Sequence, residues 1–443
     1  MHSWSPTSWQ HYNYEQAANY PDKEHLNRVI KQLSQLPPLV TTDEVDRLKK
    51  AIAMAGRGEA FILQGGDCAE SFNDCRAEII TSKLKILLQM SLVLLFGLRK
   101  PIIRIGRIAG QYTKPRSSDF ETIQGVTLPS YRGDLVNLSS FDAESRTPNP
   151  DLLMQGYNYA AITLNYIRAL IDSGFADLHH PQRWDLGFVE HSTQAKEYHT
   201  IVRSIGNSLD FLKSIDGLRH SNLSKVDFYT SHEALHLHYE QALTRSSRNG
   251  KWYDLSTHLP WVGMRTAKPN SAHLEFIRGI ENPVGIKVGK DTTPEWLTKM
   301  LHLINPQRED GRILLISRMG ANHIHDELPR LIKSAKDTNI PVTWVCDPMH
   351  GNTESTADGV KTRHFDKILN ELQSALKIHR DMGSHLGGVH FELTGENVTE
   401  CIGGARGLSE HDLKEAYHSL VDPRLNYEQS LEMSIQLARE FAP

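Results

Sequence analysis

Eight short apolar runs, each bounded by glycine, proline or polar residues, constrain the fold of this chain more than any other feature. They are FILQGG (61–66), PIIRIG (101–106), VDFYTS (226–231), HLPWVG (258–263), VGIKVG (284–289), RILLISR (312–318), VTWVCD (342–347) and GVHFEL (388–393). Runs this short and this continuously apolar read as strands buried on both faces. Between most of them lie segments of helical period and length, at 78–98, 272–280, 294–304, 326–338 and 361–382. Strands alternating with helices in this way predict an α/β fold, a parallel sheet closed into a (β/α)8 TIM barrel with its outer face covered. A doubly wound open sheet also alternates, but it often carries a glycine-rich phosphate loop after the first strand. Here that position reads GGDCAE, with no GxGxxG.

The chain has 443 residues, well beyond the roughly 250 of a minimal barrel. Residues 1–60 read as an N-terminal helical extension, with helices at 23–35 and 42–55, the second opened by a Thr-x-x-Glu cap from Thr41 to Glu44. Residues 61–443 then form the catalytic barrel, with a helical insertion at about 150–220 between strands two and three. A polar loop at 114–150 precedes it, and it comprises a long helix at 151–172 and a further helical pair near 192–216. Such additions read as contacts of a homo-oligomer, dimer or tetramer, or as regulatory decoration. With 39 % hydrophobic and 23 % charged residues the chain can bury a large core. Its 49 Lys and Arg against 53 Asp and Glu leave a net charge of −4, which offers no global attraction to nucleic acid or to an anionic membrane. The most apolar stretch, 86–98, is too short to span a bilayer, contains Gln89 and reads as a buried helix. The N-terminal residues show neither a basic start nor an apolar h-region. Cys68, Cys75, Cys346 and Cys401 are scattered with no CxxC pair, so the expected setting is a reducing cytoplasm.

In a (β/α)8 barrel the site forms where the strands end, so the residues just beyond each run matter most. Strand one is followed by Asp67, Cys68 and Glu70, and strand two by Arg107, with Lys114 and Arg116 in the next loop. Strand three gives His232 and Glu233, strand four Arg265, strand five Lys287, strand six Arg318, strand seven Asp347 and His350, and strand eight Glu392. Six cations (Arg107, Lys114, Arg116, Arg265, Lys287 and Arg318) therefore converge on one mouth of a net-negative chain. That predicts a strongly anionic ligand: two phosphates plus a carboxylate would carry roughly four to five negative charges, which suits two substrates of which at least one is a phospho-acid. Lys287 lies mid-strand, where its charge has to face a polar lumen.

Cys68, His350 and Glu392 end strands one, seven and eight, which become neighbours when a barrel closes. A thiolate, an imidazole and a carboxylate suit a borderline divalent ion such as Mn, Co, Fe or Zn. Asp422 in VDPRLN is a candidate fourth ligand, with Asp347 and Glu396 as rival carboxylates, and a buried structural thiol is an equal alternative for Cys68. SHEALHLHYE (231–240) crowds His232, His236 and His238 together without the HExxH spacing of a zinc peptidase. The chain has no serine nucleophile elbow, no GxxxxGK[ST] loop and no basic and aromatic interleaving for nucleic acid.

FILQGGDCAESF, RIGRIAGQYTKPRSS, YTSHEAL, NPVGIKVG, LISRMGANHI, WVCDPMHGNT, KTRHFD, GGVHFELTGENVTECIGGA and DPRLNYEQSLE together resemble, in the same order, the class II 3-deoxy-D-arabino-heptulosonate 7-phosphate (DAHP) synthases. The resemblance runs from about residue 40 onward. It implies a metal-dependent (β/α)8 enzyme that condenses phosphoenolpyruvate with erythrose 4-phosphate and releases phosphate, the opening step of the shikimate pathway to chorismate and the aromatic amino acids. By matching motifs it implies Cys68, His350, Glu392 and Asp422 as ligands of a divalent metal, most often Mn. It implies Arg107, Lys114 and Lys287 at the phosphoenolpyruvate carboxylate, Arg265 and Arg318 at its phosphate, and Arg116 and Ser117 at the erythrose phosphate. Lys114, Cys68 and His350 would be the residues closest to the chemistry, with Lys114 or a metal-bound water as the proton donor. It also implies a response to aromatic amino acid effectors through the helical pair near 192–216.

The sequence departs from the family pattern at one site position. The family commonly has an acidic residue before the arginine of its W-x-G-E-R-T block, whereas this chain reads WVGMRT with Met264, followed by AKPNSAH. That departure suits a specialised paralogue, serving a natural-product route or taking a modified aldose phosphate such as an imino-erythrose phosphate.

Overall fold

The computed structural model describes residues 3–173, 196, 200, 203 and 226–440. The eight apolar runs each supply one barrel strand: β1 Phe61–Gly66, β2 Ile102–Arg107, β3 Phe228–Glu233, β4 Leu259–Val262, β5 Val284–Val288, β6 Ile313–Ser317, β7 Thr343–Cys346 and β8 Leu386–Glu392. They pair in parallel, in sequence order, and close when β8 pairs with β1. Gly66 at the end of β1 stands level with Glu392 on one side and Arg107 on the other, so the register brings those two chemistry-bearing residues to one height.

Side chains facing the lumen change character along its axis. At the base, Ile62, Ile103, Ile105, Leu259, Leu314, Ile316 and Val345 form one apolar cluster with Leu48, Ile52 and Ala55. The last three belong to helix α2 (Thr42–Gly56), which the Thr41–Glu44 capping box starts. The N-terminal extension is thus partly the floor of the barrel. Its Leu48 and Ile52 are fully buried, each contributing about 1.5–3 kcal/mol. Higher up the lumen turns polar, with Gln64 Nε2 donating to Ser231 Oγ at 3.0 Å. Helix α1 (Lys23–Gln35) lies outside, where Leu26, Val29 and Leu33 share a satellite core with Leu153, Tyr157 and Leu164 of α4 (Asp151–Asp172).

The strands alternate with α3 (Ala77–Leu98), α5 (Ala272–Arg278), α6 (Pro294–Ile304), α7 (Ile324–Asp337) and α8 (Phe365–Asp381), within a few residues of the expected bounds. At 22 residues α3 is long and apolar enough by composition to cross a membrane, but 67 % of its most apolar window is buried, and it packs on β1, β2 and α9 (Tyr427–Glu440) as a core helix. Apolar periodicity does not reveal α9, and the stretch 114–150, expected to be loop, contains a hairpin, Phe120–Ile123 with Val126–Pro129, that projects to an exposed tip. The four cysteines are free thiols, as their spacing predicts. The helical pair expected at 192–216 lies, apart from residues 196, 200 and 203, outside the described residues.

Candidate active site

At the carboxyl ends of the strands is a cavity of about 250 Å³, lined by five of the six predicted cations, Arg107, Lys114, Arg265, Lys287 and Arg318, together with Cys68, His350 and Asp422. Arg107 ends β2 and points inward. Its Nη1 meets His390 Nε2 at 2.8 Å, while Nη2 meets Glu392 Oε1 at 3.1 Å and the Cys68 carbonyl at 3.0 Å. Lys287 projects from mid-β5 into the lumen, as expected of a charge inside an otherwise apolar strand. It reaches Asp347 Oδ2 at 3.0 Å and lies 6.0 Å from the centre of the Trp261 ring. Burial lowers the Lys287 pKa, with Arg107 and Arg318 adding to that and Asp347 opposing it.

Closure of the barrel brings the predicted donor set together. Donor atoms of Cys68, Glu392 and Asp422 lie within 4.8 Å of one another, and His350 Nε2 is 2.9 Å from Glu392 Oε1. The His350 ring is held from behind, its Nδ1 2.7 Å from Asp347 Oδ2. Burial lowers the His350 pKa despite Asp347 and Glu392, which favours the neutral imidazole. With Nδ1–H donating to Asp347, the Nε2 lone pair faces a carboxylate oxygen. Two acceptors at 2.9 Å repel unless a cation lies between them, so the residues fit a divalent ion. Of the rival carboxylates, Asp347 orients His350, and Glu396 bonds Thr394 outside the cluster.

A cation of the chain itself already touches this set. Lys114 Nζ lies 2.5 Å from Cys68 Sγ and 2.6 Å from Asp422 Oδ2. Burial would raise the Asp422 pKa, but Lys114 holds it well below the carboxylate range. Burial and the Glu392 charge push the Cys68 thiol up, against Lys114, so a metal held there would have to displace the thiol proton. Glu392 is gripped by Arg363, whose Nη2 is 2.7 Å from Oε2. Sequence reading assigns Arg363 no role, although its KTRHFD segment carries part of the family resemblance.

The profile of the class-II DAHP synthetase family matches residues 4–438. The chain belongs to that family. It is 45 % identical to a phospho-2-dehydro-3-deoxyheptonate aldolase of Neurospora crassa, over 99 % of this chain and 94 % of that protein. It is 45 % identical to one of Streptomyces coelicolor, over 98 % and 96 %, and 42 % identical to one of Mycolicibacterium smegmatis, over 94 % and 90 %.

Three expected site residues of this DAHP synthetase family member do not line the cavity: Glu392, fully buried against Arg107, His350 and Arg363, and Arg116 and Ser117 of the loop after β2. Pro115 is the last of its loop to do so, and beyond it the chain runs out into the hairpin. Arg116 lies 3.6 Å from Glu121 of that hairpin, with its backbone bracketed by Gln16, and Ser117 is exposed. Met264 does line the cavity, its Sδ 4.0 Å from Thr292 Oγ1. The histidines of SHEALHLHYE are engaged separately: His232 with Glu240 at 3.0 Å, His236 with the Tyr20 hydroxyl at 2.7 Å, and His238 edge-on to Trp9. Glu70, seen in sequence only as a residue after strand one, accepts the backbone N–H groups of Ala109, Gly110 and Gln111 at 2.9–3.1 Å. It shapes the loop that leads to Lys114.

Proposed function

We propose that this enzyme condenses phosphoenolpyruvate with erythrose 4-phosphate, using a divalent metal, and so catalyses the first step of the shikimate pathway toward chorismate and the aromatic amino acids. The observation that carries the reading is the enclosure of one cavity by five cations around a thiol, imidazole and carboxylate cluster. Arg265 and Arg318 are suited to the phosphate of phosphoenolpyruvate, and Arg107, Lys114 and Lys287 to its carboxylate side. Arg116 and Ser117, outside the lining, are assigned to the far phosphate of the four-carbon aldose by the family resemblance alone. Holding two mutually repelling anions at reaction distance is an entropic and electrostatic task, and fixed cations in a cavity perform it without reorganising.

Cys68, His350, Glu392 and Asp422 would hold the metal, Mn or one of Co, Fe and Zn. When bound it supplies Lewis-acid polarisation of the aldehyde oxygen. C3 of phosphoenolpyruvate then attacks the aldehyde carbon, and Lys114 donates a proton to the oxygen that becomes a hydroxyl. Water adds at C2, and the C2–O bond to phosphate breaks. The protein is read as a cytoplasmic homo-oligomer, dimer or tetramer, of two parts: residues 1–60 as extension and 61–443 as barrel with its insertion. Aromatic amino acids are its expected effectors. Met264 favours a second reading, in which the acceptor is a modified aldose phosphate of a natural-product route.

Loss of the phosphoenolpyruvate enol absorbance, matched by phosphate release, tests the proposal. The chain is run with erythrose 4-phosphate in Mn, with chelator, and as Cys68→Ser. Turnover that needs metal and falls in the variant is expected. Metal binding without turnover on erythrose 4-phosphate would move the assignment to the modified aldose.

A further inference from the structure

Glu233 is the cavity carboxylate outside the proposed donor set. It ends β3 and lines the cavity beside Lys287, Lys114, Arg107 and Arg265, yet its Oε1 is buried with no hydrogen-bond partner among the described residues. The other acid–base groups of the cavity are engaged: Asp422 by Lys114 and Lys361, and His350 by Asp347 and Glu392. A buried, unpartnered carboxylate oxygen costs about 1–3 kcal/mol or more, so a fold that keeps one in its active cavity is expected to use it.

The backbone holds Glu233 in place without satisfying its side chain. Its N–H donates to Gln111 Oε1 at 2.9 Å, and the next N–H, of Ala234, donates to the Trp261 carbonyl at 2.9 Å. The carboxylate occupies the space left by the missing side chain of Gly263: a Cβ there would come 2.3 Å from Oε1. Next in sequence is Met264, which supplies no proton-transfer group, so no carboxylate from that wall competes. Burial raises the Glu233 pKa against the pull of Lys287, Lys114, Arg107 and Arg265, toward the range where a carboxylate works as a base.

The condensation, if the proposed function holds, needs such a group. The oxygen of the added water ends as the C2 ketone oxygen, so water gives up both protons. One replaces the proton that Lys114 gives to the former aldehyde oxygen, and the other leaves on the phosphate. The sum closes with no net proton. We propose that Glu233 is a catalytic residue that takes a proton from the water as its oxygen bonds to C2 and passes it to the phosphate as the C2–O bond breaks. The inference rests on the proposed function.

The test compares wild type with Glu233→Gln and Gly263→Ala. The first keeps the shape and removes the base, and the second keeps the base and pushes it aside. Mn affinity, and phosphoenolpyruvate affinity read from Trp261 fluorescence, are expected to stay within about twofold in both. The kcat is expected to fall at least about a hundredfold in Glu233→Gln, with loss of the acid limb of the kcat–pH profile, and to fall in Gly263→Ala with that limb displaced. A Glu233→Gln kcat within threefold of wild type, an unmoved acid limb, or a matching loss of phosphoenolpyruvate affinity would overturn the role. If wild type itself releases no phosphate with erythrose 4-phosphate, the parent reading fails and this one with it. Turnover by both wild type and Glu233→Gln removes only Glu233.

Discussion

Asp347 Oδ2 stands 2.7 Å from His350 Nδ1. The same buried carboxylate oxygen also takes Lys287 Nζ at 3.0 Å, so one group fixes the tautomer that turns Nε2 toward Glu392 and neutralises a lysine in the lumen. Asp347→Asn keeps the shape and removes the charge. Partners of this kind behind a ligating histidine typically affect metal affinity about 10–100-fold. Mn affinity of the variant, by titration calorimetry, is expected to fall by about that factor with the fold intact.

Arg363 is completely buried. It touches Glu392 Oε2, Thr353 Oγ1 at 2.9 Å and the Pro423 carbonyl, tying the end of β8 to the segment that carries Asp422. Arg363→Leu leaves the Glu392 charge short of a partner in the interior, and breaking one side of a buried pair costs about 3–5 kcal/mol. The urea midpoint is expected to drop accordingly, and the metal affinity with it.

Why Cys68, His350 and Glu392 are readable from sequence while Arg363 is not has a topological answer. The first three sit where short apolar runs end, and parallel closure brings every strand end to one rim. Arg363 lies in the connection between β7 and α8, and its approach to Glu392 depends on the path of that connection, which no periodicity encodes. Helix α9 does leave a signal. Asn426 Oδ1 accepts from Gln429 N–H at 2.9 Å while Gln429 Oε1 accepts from Asn426 N–H at 3.2 Å, a reciprocal cap. The signal lies beyond the last apolar run, outside the alternation of strands and helices that marks the barrel. Arg116 misses the cavity by one residue of reach: the loop that delivers Lys114 turns outward after Pro115.

The barrel floor is a second place where the sequence boundary misleads. Residues 1–60 look separable, yet Leu48 and Ile52 are fully buried against the strands. Leu48→Ala is expected to cost about 2–5 kcal/mol, the range for a large-to-small change in a packed core. Removal of residues 1–56 should expose Ile62, Ile103 and Leu314 at the open base and give aggregated protein, as read by light scattering.

Glu371 on α8 accepts the N–H groups of Met319 and Gly320 at 2.9 Å and Asn352 Nδ2 at 2.6 Å, joining the loops after β6 and β7. Burial outweighs these donors and pushes its carboxyl from the usual 4.5 to about 7. Between those values the folded state binds a proton that the unfolded state does not, so stability is full below pH 4.5 and is lost as pH rises through 7. The loss amounts to about 3 kcal/mol. Glu371→Gln imitates the protonated acid. Its stability relative to wild type is expected to rise between about pH 5 and pH 8, by denaturant titration at each pH.

Lys114 and a divalent ion held by the proposed ligands would compete for the same donors, because the ammonium lies 2.5 Å from Cys68 Sγ and 2.6 Å from Asp422 Oδ2. Burial would depress the lysine, but the Asp422 and Glu392 carboxylates overcome it and hold the ammonium protonated. Without metal, Lys114 therefore compensates the Asp422 charge, and chelation should lower the melting temperature by only a few degrees. Lys114→Met removes both the competitor and the proposed proton donor. Mn affinity in the variant is expected to be equal to wild type or up to about tenfold tighter, while kcat falls by about a hundredfold or more, the usual weight of a positioned acid. Weaker metal binding in Lys114→Met would mean that the ammonium organises the donors instead of opposing the metal, and a kcat near wild type would remove Lys114 from the proton transfer.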